Sequence, residues 1–151
     1  MRNSRYFAAL VAALGTTTGA GAVVASSTAS ESRIEILVQA TQAWNGSRYT
    51  QYPQGQPELT MARITLPPHT TLPWHAHPSP NVAYVVSGSL TLQSRGNNAS
   101  RTFQAGDAIA EIMGDIHRGV TGNEPAVLLV AYSGVEGLPL SMPAEDVTPA
   151  R

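Results

Sequence analysis

His75 and His77 stand one residue apart in a chain that has four histidines and no cysteine. On a strand, side chains at i and i+2 point to the same face. Two imidazoles are then side by side, as two cis ligands of a metal must be. Taken alone, the pair also describes surface histidines on a loop, since Pro73, Pro78 and Pro80 surround it. His117 and His69 are the other two imidazoles. Glu111 lies within the apolar run Ala108-Ile109-Ala110-Glu111-Ile112, six residues before His117. A carboxylate in such a run either faces solvent or points inward. Buried without a partner it would cost several kcal/mol or take up a proton.

Composition narrows the chemistry. Without cysteine there is no disulfide, thiolate nucleophile, zinc finger or iron–sulfur cluster. All nine basic residues are arginine, which excludes a lysine nucleophile or Schiff base. A metal site must therefore use His, Asp, Glu, Asn or backbone oxygen. The net charge of −1 and the lack of a basic stripe argue against nucleic acid as a partner. With 151 residues, 42% hydrophobic and 13% charged, plus 13 Gly and 11 Pro, the chain reads as one turn-rich globular domain.

The elements that must position the histidines read as strands. No stretch after residue 30 has a sustained helical period; short apolar runs are bounded by turn residues instead. Strands are expected at Ile34–Val38, Leu59–Leu66, Val82–Val86, Leu90–Gln93, Arg101–Gln104, Asp107–Ile112 and Ala126–Tyr132. Ser87-Gly88-Ser89 looks like a tight hairpin, and Arg95-Gly96-Asn97-Asn98 like a second turn. Met61, Phe103 and Leu128 are expected in the core. Many short strands at intervals of about ten residues indicate an all-β sandwich or small barrel. From Gly137 the chain reads as an extended tail, assigned to residues 141–151.

Residues 1–29 have the layout of a secretory signal peptide. Arg2 and Arg5 form a positive n-region, Phe7–Leu14 is apolar, and Val23-x-Ala25 and Ser27-x-Ala29 offer small residues at the −3 and −1 positions. The expected product is secreted or periplasmic, with no stable membrane insertion after cleavage. Its seven arginines against ten acids give a charge of −3.

Over Leu59–Tyr132 the sequence resembles the cupin family. His75, His77, Gly88, Gly106, Gly114 and His117 fall in register with the family's two motifs. The flanks Tyr52-Pro53-x-Gly55-x-Pro57, Leu72-Pro73-Trp74 and Val130-Ala131-Tyr132 resemble small bacterial cupins. The resemblance implies a small double-stranded β-helix, a jelly-roll barrel, over residues 30–140. It also implies one divalent transition metal (Fe, Mn, Ni, Cu or Zn) on His75, His77 and His117. Four positions depart from the motifs. His69 replaces a Gly, Ile112 a Pro and Thr121 an Asn, and Asn81 stands where the family has its Glu ligand.

An ion on three neutral imidazoles keeps its full positive charge. Asn81 is a neutral candidate for the fourth ligand. Glu111, if it points inward, is a candidate fourth ligand, a partner of a ligand histidine, or a general base. Strand alternation expects Ala83 and Val85 to share the inward face of Asn81 and to line the pocket, with Trp74 and Tyr84 facing outward as packing or dimer contacts. His69 is expected at a turn near the rim. Two functions follow: a dioxygenase-type enzyme on a small organic substrate, or a non-catalytic module that binds a metal or small ligand. A homodimer is expected in either case.

Overall fold

The computed structural model describes residues 31–147. The signal-peptide expectation for residues 1–29 lies outside them. From Ile34 the described residues form one unit whose regular elements are almost all strands. In chain order these are β1 (Pro57–Leu66), β2 (His75–Ala76), β3 (Asn81–Ser87), β4 (Ser89–Ser94), β5 (Ser100–Gln104), β6 (Ala108–Ala110), β7 (His117–Val120), β8 (Ala126–Val135) and β9 (Met142–Pro143). A 3₁₀ turn, Ala144–Asp146, follows β9.

The strands form two antiparallel sheets. One has the order β1-β8-β3-β6 and the other β5-β4-β7-β2-β9. This is the all-β jelly-roll arrangement. The inner faces supply the core, with Val85 and Ile109 at 0% and 1% exposure and Leu90, Leu92, Phe103 and Leu128 each at 3%. Alternation does this sorting: β8 buries Ala126, Leu128, Val130 and Tyr132 while the residues between them stay half-buried. Packing of the two inner faces is the main driving force, at about 25 cal/mol per Å² of apolar surface removed from water.

Three local expectations are corrected. Ser87-Gly88-Ser89 is not a hairpin turn, because β3 and β4 lie in different sheets and do not pair. Gly88 is instead the corner where the chain crosses between sheets. Its φ is +74°, and a Cβ there would sit 1.9 Å from the Pro125 carbonyl oxygen, so only glycine fits. Met61 is not core: it is 71% exposed on the outer face of β1, where parity places Leu59 beside it at 82%. Ile34–Val38 forms no strand, and Ile34, Ile36 and Leu37 are 91%, 69% and 58% exposed. Strand propensity is fulfilled only against a neighbouring strand, and this segment has none.

The turn at Arg95–Asn98 does join a paired hairpin, β4 to β5. Beyond Gly137 the chain returns to the sheet. Met142–Pro143 pairs with His75–Ala76, so this late segment borders the histidine strand. Among the described residues no helix is long and apolar enough to cross a membrane.

Candidate metal centre

β2 and β7 are neighbours, and their one registered pair is His75 opposite His117. His77 follows β2 and is fixed by a parallel bridge to Met113 and by Gly114 N–H donating to its carbonyl at 3.0 Å. Gly114 adopts φ +80°, which lets the 113–116 turn reverse there. Two short elements and one turn thus bring the three imidazoles together. Their ring centroids are 4.7, 5.0 and 5.1 Å apart, a nearly equilateral arrangement. One ligand nitrogen from each lies within 4.8 Å of the others, close enough to hold a metal ion. His69 is elsewhere, exposed at a turn with φ +55°.

The tautomer of each ring follows from its partner. His75 Nδ1 meets the Pro73 carbonyl at 2.9 Å, His77 Nδ1 the Leu140 carbonyl at 2.7 Å and His117 Nδ1 the Asp115 carbonyl at 3.0 Å. A carbonyl only accepts, so each Nδ1 carries the proton and donates it. Each Nε2 then presents a lone pair. That is the second contact expected of a metal-ligating histidine. His117 Nε2 is buried without a hydrogen-bond partner. Burial opposes protonation, pushing His77 down to about 4 and His117 down to about 3, with the nearby imidazoles adding to the effect. A cluster of three imidazole nitrogens this close together fits a divalent transition ion.

Glu111 points inward. It is 6% exposed, and its Oε2 lies 3.7 Å from His117 Nε2. It sits just past β6 rather than within a strand. Its backbone is held from both sides: the N–H donates to the Asn81 carbonyl at 3.1 Å, and its carbonyl accepts from Tyr49 Oη at 2.5 Å. Burial pushes the carboxyl up to about 7, against a weak opposing hydrogen bond from Ile112 N–H at 3.4 Å. Burial thus favours the neutral form of the Glu111 carboxyl in the metal-free site.

Asn81 is 3% exposed and lines the same cavity. Its Nδ2 donates to the Ser79 carbonyl at 3.3 Å, which turns Oδ1 away as a buried acceptor with no partner. Ala83 also lines the cavity, on the face expected from alternation. Val85 does not. It is fully buried in the apolar core, beyond the cavity wall. The cavity has a volume of about 60 Å³, and apolar residues such as Leu72, Leu90, Leu128 and Val130 make up most of its wall.

Two contributors were not picked out by spacing. Tyr132 lines the cavity with its ring 5.7 Å from that of His77. Its alternation with Leu128 and Val130 on β8 was the available signal. The Leu140 carbonyl, which orients His77, comes from a segment read only as extended. Trp74 faces away from the centre, as expected, with the guanidiniums of Arg118 and Arg95 stacked 4.4 and 4.7 Å from its ring. Thr121 takes over the anchoring of the 67–70 turn: its hydroxyl donates to the Pro67 carbonyl at 2.7 Å and accepts from Thr70 N–H at 2.8 Å.

Residues 62–132 match the family model described as a cupin domain. Among solved structures, the chain is similar to the DMSP lyase DddQ from Ruegeria pomeroyi DSS-3, with 20% identity and a TM-score of 0.52 over 60% of this chain and 45% of that one. It is also similar to the polyketide cyclase RemF from Streptomyces resistomycificus, with 22% identity and a TM-score of 0.51 over 60% of this chain and 62% of that one. A cupin-like protein from Thermotoga maritima matches at 19% identity and a TM-score of 0.46, over 56% and 63% of the two chains. The chain spans less than two thirds of the length of each. At these identities the likeness concerns the fold. No curated protein matches the chain at a significant level.

Proposed function

The chain belongs to the cupin family, and on that premise we propose that it holds one divalent transition metal on His75, His77 and His117 and acts as a dioxygenase-type oxidoreductase on a small organic molecule. One observation carries the reading. All three Nδ1 atoms are engaged by backbone carbonyls, which leaves the three Nε2 atoms free to ligate on rings whose ligand atoms lie within 4.8 Å of one another. Without a cation there, that arrangement gathers three nitrogen lone pairs, two of them on buried rings, that repel one another. When bound, such an ion would supply Lewis acidity and, if it is Fe, Mn, Ni or Cu, one-electron chemistry as well.

The remaining residues have distinct tasks. Glu111 Oε2, beside His117 Nε2, returns negative charge to the centre and holds or accepts a proton. The unpartnered Asn81 Oδ1 accepts a hydrogen bond from a donor in the cavity. The leucine-rich wall excludes water, which strengthens each polar contact inside. The cavity of about 60 Å³ limits the substrate portion it encloses to a few heavy atoms.

Metal analysis of protein purified without chelator tests the proposal. Fe, Mn, Ni or Cu near one equivalent is expected, with oxygen consumption on turnover of a small substrate; Zn, which has no redox chemistry, would keep the metal site and remove the dioxygenase part. Absence of all five metals, with none taken up on addition, overturns it. The small cavity favours a second reading, a non-catalytic module that binds the metal or a small ligand. Stoichiometric metal without oxygen consumption across small carboxylates, thiols and phenols would select that reading. Export rests on the sequence of residues 1–29. Protein from the native host is expected to begin between about Gly21 and Ser30. An intact Met1 on soluble cytoplasmic protein would remove export from the proposal.

A further inference from the structure

His75 and His117 form the one registered pair between β2 and β7. Each ring is oriented by a carbonyl two residues back on its own segment, Pro73 for His75 and Asp115 for His117. Those bonds fix how a ring sits on its strand. They do not set how far one strand stands from the other. β2 is only two residues long. Ahead of it, backbone pairing with the β7 side is found at Leu72, whose N–H donates to the Gly119 carbonyl at 2.9 Å. Pro73 follows Leu72 and has no N–H to add.

Side chains on the far face of the sheet join the two strands at this place. Stepping one residue from the His75–His117 pair in an antiparallel register puts Trp74 opposite Arg118. The Arg118 guanidinium lies 4.4 Å from the centroid of the Trp74 ring. Gln93 is registered opposite Arg118 on β4, and its Oε1 accepts from Arg118 Nε at 2.8 Å. On the other side, the Trp74 carbonyl accepts from Ala144 N–H at 3.1 Å. Gln93, Arg118 and Trp74 form an outer row across β4, β7 and the start of β2. The inner row Ser94, His117 and His75 runs one residue away. Trp74 and Arg118 are thus the chain neighbours of two of the three histidines. Arg95 brings a second guanidinium to 4.7 Å from the same ring, and its own N–H donates to the Ile116 carbonyl at 2.8 Å, just ahead of His117.

We infer that Trp74 and Arg118 are positioning residues for the metal centre: their stacking on the outer face sets the spacing of His75 and His117 on the inner one. The inference rests on the metal site proposed above. A ligand constellation has to be held to within about 0.5 Å by side chains whose own conformations are locked. Arg118 meets that demand, because its planar guanidinium is fixed both on a ring face and by an amide oxygen. Both residues are half-buried, so the contact is partly shielded from water. The molecule also contains a matched contact without this connection. Arg101 lies 4.7 Å from the Phe103 ring on β5, at the far edge of the same sheet and outside the cavity lined by the histidines.

Titration of metal-stripped, full-length protein with Co²⁺, read by visible absorption and by competition with a chromogenic chelator, tests the role. Trp74→Leu and Arg118→Leu should each weaken Co²⁺ binding about tenfold and alter the Co²⁺ spectrum. The double variant should bind no worse than the poorer single one, because the two side chains act as a unit. Trp74→Phe keeps a ring face and Arg118→Lys keeps the cation, so each should recover part of the affinity. Arg101→Leu should lower stability to urea as Arg118→Leu does, yet leave Co²⁺ affinity and spectrum as in the wild type. Wild-type affinity and spectrum in both leucine variants overturn the inference and leave the metal site standing. Additive losses in the double variant, or an equal loss in Arg101→Leu, also overturn it, since they mark general destabilisation. A wild-type protein that takes up no Co²⁺ removes the metal site and this role together. Circular dichroism checks each fold, and the two Arg118 variants carry the test if Trp74→Leu does not fold.

Discussion

Replacing Glu111 by glutamine should change two properties in opposite directions. Burial raises the folded carboxyl from an ordinary 4.5 to about 7. Each unit is worth a little over 1 kcal/mol, so ionising Glu111 in the metal-free fold costs about 3 kcal/mol. The folded pKa lies above the unfolded one. Its contribution to stability is therefore complete below pH 4.5 and is lost as pH rises to about 7. Glutamine keeps the size and the acceptor for Ile112 N–H but carries no charge. Urea unfolding of metal-stripped protein at pH 4.5 and pH 8 checks this. The stability difference between variant and wild type should move in the variant's favour by about 3 kcal/mol over that range. The histidines titrate too, but both proteins share them, so the difference isolates Glu111. With metal the sign reverses. Loss of the carboxylate 3.7 Å from His117 Nε2 should weaken metal binding at least about tenfold. Parallel pH profiles together with unchanged metal affinity would refute the inward, charge-coupled role.

His75→Ala, His77→Ala and His117→Ala should each reduce bound metal to below about a tenth of wild type by elemental analysis, as loss of one of three ligands implies; His69→Ala should leave it unchanged, since that side chain is exposed and apart from the cluster. His77 and His117 fold with pKa values pushed down to about 4 and about 3 from 6.5. The metal-free protein should therefore lose stability as pH falls below about 6.5 and down toward those values, because the unfolded chain takes up protons that the folded one refuses; the loss should shrink in the His117→Ala variant. Gly88→Ala, which brings a Cβ to 1.9 Å from the Pro125 carbonyl oxygen at φ +74°, should destabilise the fold by about 2 kcal/mol or more in thermal or urea unfolding.

Residue type and period-2 spacing were enough to place the all-β class and most strands, because alternation of apolar and polar residues is a local record of which face is buried. The pairing of His75 with His77 was legible for the same reason, and chain composition alone excluded thiolate and lysine chemistry. The meeting of these two with His117 was indicated by family resemblance and not by spacing. It exists because β2 and β7 are neighbours in the second sheet, a long-range pairing that no local pattern encodes. Glu111 shows the limit most clearly. The irregular backbone after β6 breaks parity with His117, so the inward direction of the carboxylate came from the hydrogen bonds of its backbone to Asn81 and Tyr49. Ser87-Gly88-Ser89 misled in the same way. A glycine turn between two strand-like runs has the same local chemistry whether the strands pair or part, and only the close approach of Pro125 made it a corner between sheets. Ile34–Val38 carries strand propensity without a strand, because a β-strand, unlike a helix, completes its hydrogen bonds only on another segment.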